Sequence, residues 1–167
     1  MIRPCTVIVM GVSGSGKSTL ANSLGSHVGW PVIEGDDYHS AANRQKMAAG
    51  IPLENTDRRD WISALCSAIR QAGPASVTAC SALNPAVRGW IEAGTGCQPL
   101  YLWLSGDQTL VAERLRRRTG HFMNPHLLGS QFEALDPPAS AIIIPVSMAP
   151  DEQLRCAVEA LRLRTDP

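Results

Sequence analysis

Five short apolar runs recur along the chain, at residues 5–10, 31–34, 75–80, 99–104 and 141–146. Each is four to six residues long, rich in Val, Ile and Leu, and bounded by Gly, Pro, Asp or Ser. Such runs read as buried strands. Between them the period changes to that of helices, over about 40–49, 57–72, 85–93 and 107–118, with another at 150–163. Residues 19–24 start a further helix directly after a glycine-rich loop. Asp57 and Asp107 stand where helix N-caps belong. Met47 and Trp61 fall at helical spacings that predict core positions. Strands alternating with helices predict an α/β domain whose parallel sheet is covered on both faces. With 167 residues, the chain fits a single domain over 1–167.

One stretch breaks this rhythm. Residues 119–140 hold no strand candidate, only a short amphipathic piece at 127–132 between Pro125 and the pair Pro137-Pro138. Arg114, Arg116, Arg117 and Arg118 cluster immediately before it. A long insertion behind an arginine-rich helix end predicts a lid over phosphates.

Charge and cysteine usage narrow the partners. Fifteen basic residues balance fifteen acidic ones, so no basic excess calls for nucleic acid. The five cysteines are odd in number and lack C-x-x-C spacing, which predicts free thiols rather than a disulfide framework or a zinc site. No apolar stretch is long enough for a membrane span. The first apolar run leads straight into the glycine loop rather than into a cleavage site, so the expected location is the cytoplasm.

That loop carries the chemistry. Gly11-Val12-Ser13-Gly14-Ser15-Gly16-Lys17-Ser18 meets every fixed position of the pattern G-x-x-x-x-G-K-[ST], between a strand and a helix. Its glycines let successive backbone N–H groups turn inward to hold phosphate oxygens, and the next helix points its positive end at them. Lys17 supplies a charge for the β- and γ-phosphates, Ser18 a hydroxyl for Mg²⁺, and Thr19 extends the phosphate side.

In parallel sheets, ligands bind beyond the carboxyl ends of strands. After the second strand comes Glu34-Gly35-Asp36-Asp37-Tyr38-His39. Asp36 is placed to take or orient a proton on a substrate hydroxyl, and Glu34 to hold Mg²⁺ through water. After the third strand, Ser81 can meet a substrate, and Arg88 stands one helical turn further on, suited to an anionic group.

These stretches, together with K-M-x-x-G-x-P-L from Lys46 to Leu53, D-R-x-x-W from Asp57 to Trp61, G-H-F-M from Gly120 and S-Q-F from Ser130, resemble the gluconokinases. The resemblance runs from about Val7 to Ile144. It implies a three-layer P-loop kinase fold, with a five-stranded parallel sheet flanked by helices and a lid over about 119–140, similar to shikimate and adenylate kinases. It implies ATP and Mg²⁺, and transfer of the γ-phosphate to the 6-hydroxyl of D-gluconate, with a homodimer as the expected assembly. It implies catalytic roles for Lys17, Asp36 and Arg118, and a nucleotide site of Gly11, Ser13, Gly14, Ser15, Gly16, Lys17, Ser18, Thr19, Arg114 and Arg118. Asp36, His39, Arg44, Ser81, Arg88, His121 and Gln131 would meet the substrate, and Ser18 and Glu34 the metal. The other readings are a kinase for a different sugar acid or small hydroxyl compound, and a nucleotide-binding module without turnover. Shikimate kinases carry a glycine triplet where this chain has Cys80-Ser81-Ala82-Leu83, and an inactive relative is expected to lose Lys17, Ser18 or Asp36.

One segment departs from the family. After Ser81-Ala82-Leu83 most members carry lysine, a nearby Tyr-Arg-Asp triplet and a further arginine. Here these positions read Asn84, Val87-Arg88-Gly89 and Glu92. One unit charge at about 8 Å is worth roughly 2 kcal/mol at an effective dielectric near 20, more than tenfold in affinity. Three outcomes fit: weak binding of gluconate, a segment remote from the substrate, or a changed acceptor.

Overall fold

The computed structural model describes residues 6–118 and 125–165. Five strands form one sheet: β1 (Thr6–Met10), β2 (Val32–Glu34), β3 (Ser76–Ala79), β4 (Leu100–Ser105) and β5 (Ile142–Pro145). The order is β2-β3-β1-β4-β5, and every pair is parallel. The helices are α1 (Lys17–Val28), α2 (Ala41–Ala48), α3 (Asn55–Gln71), α4 (Pro85–Thr95), α5 (Gln108–Arg117), α6 (Pro125–Ala134) and α7 (Pro150–Thr165). A short 3-10 turn, Gly35–Tyr38, follows β2. All five expected strands are present, and the three-layer α/β arrangement is as expected.

The two-residue period of the strands sorts the core into two layers. Val7 and Val9 of β1 and Leu100, Leu102 and Leu104 of β4 pack with Leu20, Leu24, Ala157 and Leu161 of α1 and α7. Ile8, Met10 and Tyr101 point the other way, onto Trp61, Ile62, Leu65 and Ile69 of α3 and Val87 and Ile91 of α4. Thus β1, central and buried on both faces, is apolar at nearly every position. A third, smaller cluster joins Val12, Leu83, Val111 and Leu128 above the carboxyl ends of the strands.

Three expectations are corrected. The N-cap of α3 is Glu54, and Asp57 sits three residues into the chain beyond it. Its carboxylate accepts from the Glu54 amide at 2.9 Å and from Lys46 Nζ at 2.8 Å. Asp57 is therefore the reciprocal half of a capping box, while Asp107 does cap α5, accepting from the Leu110 amide at 2.8 Å. The hydrogen bond from Lys46 and that from the Glu54 amide hold the Asp57 carboxyl below its usual range. The amphipathic piece expected at 127–132 is a full helix, α6, over Pro125–Ala134. Cys66, Cys80 and Cys156 are free thiols, but Cys97 is disulfide-bonded.

Leu102 is wholly buried in the central layer and Ile143, on the edge strand β5, is 61% exposed. Urea unfolding of Leu102→Ala is expected to lose about 2–5 kcal/mol. Ile143→Thr is expected to stay within about 0.5 kcal/mol of the parent; an equal loss in both would contradict the layer assignment.

Candidate active site

Strand β1 delivers the chain to a loop whose glycines adopt conformations closed to other residues. Gly11, Gly14 and Gly16 have φ of +145°, +79° and +100°. At Gly14 space is also limiting, because a Cβ there would lie 2.5 Å from Leu115 Cγ. Helix α1 then begins at Lys17 without a side-chain cap or an acidic residue in its first turn. By contrast Ser40, Asn84 and Asp107 cap α2, α4 and α5 with side-chain oxygens. The leading N–H groups of α1 are thus left for an anion, with the helix dipole behind them. The Ser15 hydroxyl, buried in the same loop, also finds no partner among the described residues. This cradle fits the phosphates of a nucleotide.

The cations and oxygens around the loop are arranged to match. Lys17 Nζ donates to the Val12 carbonyl at 3.0 Å. Burial lowers its pKa, opposed by the carboxylates of Asp36 and Glu34 and by Cys80. Glu34, at the end of β2, accepts from Ser18 Oγ at 2.5 Å. A hydroxyl paired with a carboxylate beside a phosphate cradle is the hard-oxygen set that Mg²⁺ takes when phosphates supply the remaining ligands. Among the described residues no group of three His, Cys, Asp or Glu can hold a metal by itself. Burial pushes the Cys80 thiol up to about 12, so it stays neutral.

Beside the loop opens a cleft of about 700 Å³. Asp36 projects into it from the 3-10 turn after β2, with His39 Nε2 3.9 Å from its Oδ1. The turn is braced from below. Trp61 Nε1 donates to the Gly35 carbonyl at 2.8 Å, and its indole stacks on the His39 ring at 4.0 Å. Asn43 Nδ2 donates to the Asp57 carbonyl at 2.8 Å and lies 3.4 Å from His39 Nδ1. Burial lowers the pKa of His39, with Asp36 opposing.

Helix α6 hydrogen-bonds to the phosphate loop through Gln131. Gln131 Oε1 accepts from the Ser13 amide at 2.7 Å, and its Nε2 donates to Ser13 Oγ at 3.1 Å.

The cleft wall therefore brings together Ser13, Gly14, Gly16, Lys17, Ser18, Thr19, Asp36, His39, Ser81, Arg118 and Gln131 from the expected set. Gly11 and Ser15 shape the loop from behind, since a Cβ on Gly11 would meet Ser15 Oγ at 2.9 Å. Three expected arginines do not line the cleft. Arg44 turns back to donate to the carbonyls of Asp37 and His39, at 3.0 and 3.2 Å. Arg114 donates to the Val146 carbonyl. Arg88 is 7% exposed and donates to the Ala82 carbonyl at 2.9 Å. His121 lies outside the described residues.

The cleft also holds residues the sequence did not single out for it. Met47 and Trp61, expected in the core, both line it, and Trp61 does so while buried at 3% exposure. Arg58 lines the same wall and donates to Asn55 Oδ1 at 3.3 Å; burial lowers its pKa. The D-R-x-x-W spacing was the available signal, because it puts Arg58 on the helix face next to Trp61. Of the departures from the family, Asn84 and Val87 line the cleft and Glu92 does not. Glu92 accepts instead from the Tyr101 hydroxyl at 3.2 Å.

Fold and site together define a P-loop kinase that uses ATP on a small molecule. The family model described as an AAA domain matches residues 7–136. A probable gluconokinase of Mus musculus is 38% identical over 97% of this chain and 100% of its own length. The thermosensitive gluconokinase of Escherichia coli K12 is 38% identical over 93% of this chain and 88% of its own. The crystal structure of a gluconokinase from Sinorhizobium meliloti 1021 superposes with a TM-score of 0.88 at 34% identity, covering 99% and 96% of the two chains. The chain belongs to the gluconokinase family. A shikimate kinase from Aquifex aeolicus, at 14% identity and a TM-score of 0.64, shares the fold alone.

Two outcomes test this geometry. Gly14→Ala places a methyl against Leu115 in a left-handed backbone that costs about 1–2 kcal/mol. Titration with a non-hydrolysable ATP analogue should show affinity weakened about tenfold or more, and unchanged affinity would contradict the packing. His39 binds its proton less readily folded than unfolded, so the unfolded chain gains protons first and stability falls as pH drops through about 6.5. Thermal melts should show that acid-side loss diminished in His39→Gln; an identical pH profile would remove His39 as the cause.

Proposed function

We propose that this chain transfers the γ-phosphate of ATP to the 6-hydroxyl of D-gluconate. The observation that carries this reading is one cleft lined by three chemically distinct sets of groups. The phosphate loop is the first, Asp36 the second, and Arg58, Asn84 and Ser81 make up the third. A donor anion, a hydroxyl to be activated and an anionic tail on the acceptor each find a complementary group there. The names carried by the relatives support the same acceptor.

In this reading Lys17 exchanges the Val12 carbonyl for the β- and γ-phosphates. Asp36 orients the acceptor hydroxyl and accepts its proton as the new P–O bond forms. Ser18 and Glu34 would hold Mg²⁺, which would supply neutralisation of phosphate charge. Arg118, at the end of α5, adds positive charge where the transferring group becomes most anionic. Arg58 takes the acceptor's carboxylate, for which its planar fork is suited. Gln131 and the lid exclude water that would otherwise hydrolyse ATP.

Asn84 favours a second reading. It stands in the cleft where most family members carry lysine, so the acceptor side has one cation fewer. A sugar acid of different shape, bound by Arg58 alone, fits that change.

ADP release at fixed ATP and Mg²⁺, measured with D-gluconate, other sugar acids, shikimate and no acceptor, distinguishes these readings. Gluconate-dependent release is expected. Release only with another sugar acid would retain the mechanism and replace the acceptor. Arg58→Met is expected to raise the acceptor KM at least about tenfold, the worth of a charged hydrogen bond, while leaving the ATP KM unchanged. A shift in the ATP KM alone would place Arg58 in the wrong set.

A further inference from the structure

The loop between β3 and α4 is held by three consecutive carbonyls. Ser81 O accepts from the Gly11 amide of the phosphate loop at 3.3 Å. Ala82 O accepts from the Arg88 guanidinium of α4 at 2.9 Å. Leu83 O accepts from the Asp136 amide, just beyond α6, at 2.9 Å. Each anchor comes from a different element, and only Arg88 is a side chain. Between the outer two anchors, Ala82 has φ +45°. That is the left-handed region, which a non-glycine residue occupies only when its surroundings hold it there. Ser81, Leu83 and Asn84 all face the cleft.

A guanidinium spent on a backbone carbonyl is costly to bury unless its charge is matched. Burial lowers the pKa of Arg88, with Tyr101, Asp136 and Glu92 opposing. Glu92 accepts from the Tyr101 hydroxyl and does not line the cleft.

We propose that Arg88 is a positioning residue: its bond to the Ala82 carbonyl holds the strained loop so that Ser81 and Asn84 face the acceptor. It touches no substrate itself. The same loop is tied to the phosphate loop at Gly11 and to the lid's exit at Asp136, so Arg88 sets the acceptor wall relative to both. This deepens the kinase reading and rests on it for the kinetic arm below. The exchange arm reads the loop without any acceptor, so the two can fail separately.

The test compares wild type with Arg88→Met, Arg88→Gln and Arg88→Lys in the full chain. Amide hydrogen exchange at Gly11 and Asp136, the donors to Ser81 and Leu83, is expected to accelerate about tenfold in Arg88→Met. Exchange at the core amide of Val9 is expected to stay unchanged. In ADP release, the efficiency kcat/KM for the acceptor is expected to fall about tenfold, with the ATP KM held within about twofold. Arg88→Lys and Arg88→Gln each keep a donor and are expected to recover part of both effects. Should Arg88→Met fail to fold, the donor-retaining pair compared with wild type gives the same readouts. Unchanged exchange at Gly11 and Asp136 would overturn the proposal, as would acceleration spread equally to Val9. A loss falling equally on ATP and acceptor, without rescue by lysine or glutamine, would reduce Arg88 to a stabiliser of the fold.

Discussion

The constraint on which the rest of the structure depends is the unpaired start of α1. A helix cannot satisfy its first four N–H groups internally. Elsewhere in this chain side chains complete them, as Ser40, Asn84 and Asp107 do. At α1 nothing does. The chain accepts that cost where an anion is to arrive, and the surroundings follow from it. Gly14 must be glycine to turn the loop and to admit Leu115. Val12 gives its carbonyl to Lys17.

Around that start, one small apolar cluster joins parts that the sheet alone would leave separate. Val12 belongs to the phosphate loop, Leu83 to the acceptor loop, Val111 to α5 and Leu128 to α6. Leu115 and Phe132 pack against them. Hydrogen bonds run beside this contact: Gln131 to Ser13, Gly11 to Ser81 and Asp136 to Leu83. The phosphate loop, the β3–α4 loop, α5 and α6 therefore meet on a shared apolar seat. A shift of α6 would change packing on the phosphate loop and the β3–α4 loop together, a coupling through direct contact.

The sheet was legible because short, apolar, β-branched runs have few other uses. The phosphate loop was legible because glycine spacing, lysine and serine are all fixed by one ligand. Direction was less legible than position. Arg88 is the fourth residue of α4, and the helix phase sends it to the Ala82 carbonyl instead of the cleft. Arg44 and Arg114 likewise spend their donors on backbone carbonyls. A count of positive charges in the sequence cannot tell a carbonyl clamp from an anion ligand. Asp57 looked like an N-cap because both halves of a capping box are acidic here, and sequence does not say which comes first. Trp61 was placed in the core correctly, yet its ring also supports His39 at the floor of the cleft. Periodicity assigns a residue to one face and gives no sign that it serves two.

The central claim is that phosphate passes from ATP to the 6-hydroxyl of D-gluconate within this cleft. Phosphorus NMR of a reaction with ATP, Mg²⁺ and D-gluconate tests it most directly, because it identifies the product itself. The expected result is a phosphomonoester resonance, coupled to a methylene pair, growing as the γ-phosphate signal decays. Growth of inorganic phosphate alone, or ATP left intact, would contradict it.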